Sequence, residues 1–282
     1  MASSGHPLSR IGQSSSPRGG ADDPPPSQVP LRPFPQDAVD RPLAGYAHDY
    51  SQGHDTGLHQ HRRAQLLYAT AGAMRVETEA AHYVVPAGRA LWLPGMRPHA
   101  VRMPGPVAMR ALFLRDDAAS AGPRDTTVLA VSPLLHELIL AACAEPVEWE
   151  VAGRGGHLAA LIEDEIGRAA TLPLGVPAPR DPRLQRLATA LRDDPASPRT
   201  LEEWAPLCAS SPRNLNRLFR AETGLSFGAW RQALRLAEAS ALLAGGMPPA
   251  RVAAAVGYAS APAFGAAYRA AFGVTPRGRA SA

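Results

Sequence analysis

The chain has 282 residues, enough for two ordinary domains, and its 45% hydrophobic and 19% charged residues are those of a globular protein. No run of 18 apolar residues is available to cross a membrane, the first thirty positions lack the apolar stretch of a secretory signal, and Cys143 and Cys208 are too few and too far apart for a disulfide scaffold or zinc knuckle, so a cytoplasmic protein is expected. The net charge of +4 hides an asymmetry: from Arg180 onward there are 14 arginines against 7 acids, net +7, and before it 15 against 18, net −3. A basic half is the electrostatic footprint of nucleic-acid binding, although the absence of lysine and the excess of alanine also fit a genomic base bias.

In chain order, residues 1–44 are rich in Ser, Pro and Gly, include a DDPPP run, and are expected to be unstructured. Residues 45–131 carry short strand-like runs (QLLYAT, AMRVETE, HYVV, ALWL, HAVRM, VAMRALFL, TTVLAV) separated by glycine and proline, which predicts an all-β sandwich or barrel. Residues 132–170 turn helical, opening on Ser132 and Pro133, a good N-cap and first-turn pair, with a second helix from about Gly156 to Ala170. The proline-rich residues 171–180 look like a linker, and residues 181–282 like an all-helical domain.

The helical half repeats itself at an offset of 49 residues: Leu201 to Ser226 lies over Ala250 to Thr275, pairing Leu215 with Phe264, Phe219 with Tyr268, Arg220 with Arg269 and Gly224 with Gly273. Each copy has a short helix, a break, a second helix and a terminating glycine, which is a helix-turn-helix. In the first copy Leu215, Leu218 and Phe219 form the packing stripe, leaving Arg213, Asn214, Asn216 and Arg217, side chains able to bond base edges bidentately. The matching positions of the second copy, Pro262, Ala263, Gly265 and Ala266, offer no side-chain hydrogen bond. The candidate DNA contacts are therefore Ser211, Arg213, Asn214, Asn216, Arg217, Arg220, Ser260 and Arg269. A connecting helix from Ser226 to Ala244 would separate the two units by roughly 28 Å, close to one turn of DNA.

On these motifs, residues 181–278 resemble the DNA-binding domain of the AraC/XylS family of transcriptional regulators. SPRNLNRLFRAETGLSF is similar to the family's first recognition helix, and VAAAVGYASAPAFGAAYRAAFGVTP, with Gly257, Phe264, Gly273 and Pro276, to its C-terminal signature. The resemblance implies double-stranded DNA and a small-molecule effector as partners, a homodimer held by the helices at 132–170, and no enzymatic activity. The sequence departs from the family at Ala266, where an arginine is usual in the second recognition helix.

The β half holds His59, His61 and Gln65 between Gly53 and Gly72, a spacing that resembles the first cupin motif; Gly88, Pro94 and His99 resemble the second, with Met96 in place of the usual glycine. His59, His61 and Gln65 share parity and would face one side of a strand, with His99 approaching from a neighbour. Three imidazoles and one amide oxygen could hold a divalent transition metal, could hydrogen-bond an effector directly, or could be the relic of an ancestral metal site. His48, His54 and His82 fit neither motif and read as surface or packing residues.

The expected protein is thus an α+β two-domain chain, a cupin-like β-barrel followed by helices and then an all-α double helix-turn-helix domain, acting as an effector-controlled transcriptional regulator. A metal-dependent cupin enzyme of dioxygenase or isomerase type, with a helical assembly domain, is the alternative.

Overall fold

The computed structural model describes residues 29–32 and 34–276. The first half runs α1 (Pro35–Ala38), β1 (Leu43–Tyr50), β2 (Ala64–Ala71), β3 (Ala73–Thr78), β4 (Ala81–Pro86), β5 (Arg89–Leu93), β6 (His99–Arg102), β7 (Val107–Leu114), α2 (Asp116–Ala119), β8 (Thr127–Ala130), α3 (Pro133–Ala144), α4 (Arg154–Arg168), β9 (Thr171–Leu172) and β10 (Gly175–Pro177). The second half is helical: α5 (Pro182–Asp193), α6 (Leu201–Leu207), α7 (Pro212–Thr223), α8 (Phe227–Ala244), α9 (Pro249–Ala255) and α10 (Ala261–Phe272).

The strands form two antiparallel sheets, ordered β1-β7-β2-β5-β8-β9 and β10-β4-β3-β6, so the cupin-like domain is a two-sheet sandwich rather than a barrel closed by hydrogen bonds. Leu67, Met74, Val76, Val85 and Phe113 fill the space between the sheets. The outer face of the larger sheet is covered too: Leu66, Tyr68, Trp92 and Leu112 pack against Leu135 and Ile139 of α3 and Ile162 and Ile166 of α4. That double burial explains why Gln65 to Tyr68 reads as a nearly unbroken apolar run instead of alternating. At the β2–β3 turn the chain passes so close to Pro106 that a Cβ on Gly72 would stand 2.2 Å from its carbonyl oxygen, at a φ of +79°, and only glycine tolerates both.

Two segments differ from expectation. Of the stretch expected to be unstructured, residues 1–28 lie outside the described residues, as does Pro33, but the rest of the chain from Val29 onward is packed: Val29, Leu43 and Ala44 are buried and β1 pairs along β7. Its order comes from tertiary contacts that composition does not reveal, including Gln60 Nε2 donating to the Val29 carbonyl at 2.8 Å and Arg63 donating to the Arg41 carbonyl at 2.7 Å. The expected linker at 171–180 is likewise drawn into the sheets, β9 beside β8 and β10 beside β4.

The 49-residue repeat is visible as structure. Helices α7 and α10 are each 12 residues long, begin behind the caps Ser211 and Ser260, and end on Gly224 and Gly273, both at φ +73°. Helix α8, 18 residues and about 27 Å long, serves both units. Trp230 and Leu234 enter one core with Leu215 and Phe219, while Leu236 and Ala239 enter a second with Val252 and Phe264. The first of these cores is continuous with that of the sandwich, because α8 also packs on β4 and β10. Trp230 Nε1 donates to the Pro177 carbonyl at 2.8 Å, and Arg75 of β3 pairs with buried Glu238 of α8 at 2.8 Å.

Candidate nucleic-acid interface and sensor site

Helix α7 starts where Ser211 Oγ accepts the Asn214 N–H at 3.2 Å and Pro212 occupies the first turn. With Leu215 and Phe219 buried, Arg213, Arg217 and Arg220 are left exposed at spacings of four and three, which places them in one stripe along the helix. Asn214 is held from two sides, its Nδ2 donating to Ser210 Oγ at 2.9 Å and its Oδ1 accepting from Arg217 Nη2 at 2.9 Å. The guanidinium of Arg217 is thereby oriented before any partner arrives.

Some of the expected contacts also make bonds within the protein. Asn216 Oδ1 accepts the Phe227 backbone N–H at 3.1 Å, tying α7 to the start of α8. Ser211 and Ser260 accept helix-cap bonds, Ser260 from the Ala263 N–H at 3.3 Å, which leaves each O–H able to donate. On α10 the stripe equivalent to Arg213, Arg217 and Arg220 consists of Pro262, Ala266 and Arg269, all exposed. One charge therefore stands where the first copy has three.

In the sensor half, the loop between β1 and β2 and strand β6 meet through a two-way backbone pairing of His59 with His99, at 2.9 and 2.8 Å. It brings the buried rings of His59, His61 and His99 together, with one nitrogen of each within 4.8 Å of the others. Each Nδ1 is engaged outward: His59 with the Gly57 carbonyl at 2.8 Å, His99 with the Arg97 carbonyl at 2.8 Å, and His61 with Asp37 Oδ2 at 3.1 Å. Since these acceptors have no proton to give, each Nδ1 carries a hydrogen, and Nε2 is the nitrogen left for a ligand. Burial pushes the pKa of His59 down to about 4; burial and then the neighbouring His59 push that of His99 down to about 3. Both rings are neutral near pH 7.

The fit of this set to a metal ion can be judged from what is left unsatisfied. His99 Nε2 and Gln65 Oε1 are buried without a hydrogen-bond partner among the described residues, although buried polar atoms are normally paired. Gln65 and all three histidines line one cavity of about 20 Å³, walled also by Phe34, Tyr46 and Phe113. That is the space of a single water or ion, too small for an organic molecule. The donor set, three imidazoles and an amide oxygen with outer hydrogen bonds in place, suits a divalent transition metal. Asp37, absent from the sequence expectation, is one of those outer partners; nothing in PQDAVD marks it. His82, expected to be a surface or packing residue, packs where the two halves meet, against Arg192 of α5.

Comparison with known proteins bears on both halves. The family described as an AraC-like ligand binding domain matches residues 44–194, and a helix-turn-helix domain family matches residues 204–278. The HTH-type transcriptional regulator NimR of Escherichia coli is 32% identical over 219 residues, covering 78% of this chain and 80% of NimR. The HTH-type transcriptional regulator RipA of Corynebacterium glutamicum is 40% identical over 109 residues, 39% of this chain and 32% of RipA. Among solved structures, ToxT of Vibrio cholerae aligns with 84% of this chain and 97% of its own at 8% identity and a TM-score of 0.35. The C-terminal domain of the response regulator AraT from Geobacillus stearothermophilus aligns with 34% of this chain and 81% of its own at 31% identity and a TM-score of 0.33. With a ligand-binding-domain match over more than half its length, a helix-turn-helix match after it and a regulator relative along most of both chains, the protein belongs to the AraC family of transcriptional regulators.

Proposed function

We propose that this regulator reads double-stranded DNA chiefly through α7 and that its sensor domain is loaded with a divalent transition metal. The observation that carries the DNA reading is the asymmetry of the repeat: Arg213 and Arg217 exposed on α7, with Asn214 orienting Arg217, against Pro262, Ala263 and Ala266 on α10. Arginine and asparagine bond guanine and adenine edges in the major groove, whereas proline and alanine bond none. Helix α10 then contributes close approach and the Arg269 charge, a backbone grip without base readout.

Metal is supported by the converging Nε2 atoms and the orphaned Gln65 Oε1. When bound, a divalent ion would supply a fixed positive centre joining the β1–β2 loop to β2 and β6. The chain's own contribution is orientation. Asp37, Gly57 and Arg97 hold the three rings, and Phe34 of the N-terminal segment lines the cavity. The outer faces of α3 and α4 expose Leu134 and Leu161, half or nearly half accessible, and this surface is read as the homodimer contact. The protein would act in the cytoplasm, where the DNA is.

The test is titration of the full chain, with and without added divalent metal, against the DNA upstream of its own gene and against random duplex at several salt concentrations. A sequence preference lost in Arg217→Ala supports the reading. Equal affinity for both duplexes at every salt concentration overturns it.

A further inference from the structure

Helix α8 carries both helix-turn-helix units, yet the two cores it feeds are separate: Trp230 and Leu234 belong to one, Leu236 and Ala239 to the other. Helices α9 and α10 pack on α8 and on each other. Phe272, at the end of α10, reaches the first core as well, but an apolar contact is non-directional and does not by itself fix an angle. Holding the second unit at one setting against the first calls for a directional bond.

Arg235 supplies it from the middle of α8. Its Nε donates to the Pro195 carbonyl at 2.8 Å and its Nη2 to the Ser197 carbonyl at 3.1 Å, both in the loop that leads from α5 into α6 on the side of the first unit. Its Nη1 donates to the Gly257 carbonyl at 2.9 Å, in the turn between α9 and α10 of the second. One planar guanidinium thus spans both units, and its rigid fork holds the three acceptors in one relative placement. The segments it joins are also in contact. A Cβ on Gly257 would stand 2.6 Å from Arg235 Nη2 and 2.8 Å from Ala196 Cα, and the residue adopts a φ of +78°, so glycine is what lets the turn seat there. Arg231, one turn earlier on α8, donates to the Arg199 carbonyl at 2.8 Å, a bond that stays on the side of the first unit.

We propose that Arg235 is a positioning residue that sets α10 against α7 before DNA arrives, so that both helices meet one face of the duplex together. Pre-setting two contacts makes the second one intramolecular and removes the cost of ordering it at the moment of binding. The consequence for DNA rests on the regulator reading above; the clamp itself does not.

Spin labels test it in the full chain without DNA, at Ala221→Cys and Ala270→Cys, exposed positions that the 49-residue repeat places alike on α7 and α10. Cys208 is buried and Cys143 partly buried, and the chain without the two new cysteines is the labelling control. Electron paramagnetic resonance should give one narrow distance distribution when Arg235 is present. The distribution should be broader by about twofold or more in Arg235→Met, which lacks the donors, and in Arg235→Lys, which keeps the charge without the fork. Arg231→Gln, which cuts the bond to Arg199, should keep it narrow. A folded Arg235 variant with the narrow distribution overturns the proposal, as does equal broadening in Arg231→Gln. On the DNA upstream of the gene, both Arg235 variants should bind about tenfold more weakly and lose hydroxyl-radical protection of the segment under α10 while keeping that under α7. Broadening with an unchanged footprint overturns the consequence for DNA and leaves the clamp, whereas a wild type without any footprint overturns the regulator reading and leaves the distance result standing.

Discussion

Asn216 Oδ1 accepts the Phe227 backbone N–H at 3.1 Å, so a residue that faces away from the Leu215 and Phe219 stripe of α7 caps the beginning of α8. The first N–H groups of a helix have no partner within it, and here Asn216 takes one while Ser226 Oγ takes another, from Ala229 at 3.3 Å. Asn216→Ala should lower stability by about 1 kcal/mol and weaken binding to specific and random DNA alike. Denaturant unfolding paired with binding to both duplexes checks it; a loss confined to the specific site would return Asn216 to the base-reading set.

Arg217 should behave differently. It is exposed, pre-oriented by Asn214, and centred in the arginine stripe of α7. Arg217→Ala should cost about 1–3 kcal/mol on the specific site and much less on random duplex, with no change in unfolding midpoint. The reciprocal variant probes the other unit: Ala266→Arg puts a guanidinium at the equivalent position of α10 and should raise affinity if that helix lies in a groove. An unchanged affinity would place α10 on the backbone alone.

The periodicity of the sequence carried most of the fold because both halves obey simple packing. Strands β2 to β8 coincide with runs bounded by glycine and proline, and the two helix-turn-helix units with a repeat whose glycine caps recur at Gly224 and Gly273. Strand β1 and helix α1 were hidden because long-range contacts order them, β1 along β7 and Asp37 of α1 to His61, and a proline-rich composition says nothing of such partners. The histidine spacing was legible as a motif, but not for the reason of strand parity: Gln65 lies on β2 and His99 on β6, whereas His59 and His61 stand in the loop before β2 and are brought in by the His59–His99 pairing. Asp37, 24 positions from His61, and Arg192, 110 positions from His82, had no local signal; only the folded chain brings them to those rings.

For the metal reading, protein purified without an affinity tag should carry near-stoichiometric divalent metal by elemental analysis, and His61→Ala should lose it. Asp37→Asn removes the carboxylate that holds the His61 Nδ1 side and should weaken metal affinity by about 10- to 100-fold while leaving all four donors in place. Chelation should lower the melting temperature of the wild type and barely move that of His61→Ala. A metal-free wild type that still responds normally in the cell would dispose of the idea.

The dimer reading predicts that Leu134→Glu combined with Leu161→Glu yields a folded monomer. Both side chains are exposed in the single chain, so neither substitution buries a charge, and the melting temperature of the isolated protomer should stay within a few degrees. Sedimentation should show a dimer for the wild type and a monomer for the double variant. A wild type that is monomeric at micromolar concentration would remove α3 and α4 from any role in association.

Acid should loosen the contact between the two halves, and His82 lets the sign be worked out. Burial and then Arg192 hold its folded pKa at about 3, whereas in the unfolded chain the imidazole gains a proton below about pH 6.5. Between those values the unfolded state binds more protons, so stability falls as pH drops from 6.5 toward 3 and is fully present above 6.5. At pH 5 the expected loss from this group is on the order of 2 kcal/mol. Arg102 also faces the ring and opposes its protonation, while Glu77, 3.9 Å from Nδ1, is the neighbouring carboxylate. His82→Gln keeps a polar side chain but cannot titrate, so its melting temperature should drop less than that of the wild type between pH 7 and pH 5. His59 and His99 carry depressed values in both proteins, which is why the difference between the two curves, not either slope alone, is the quantity to measure. Parallel curves would mean that His82 is already solvated and that the contact between the halves is open in solution.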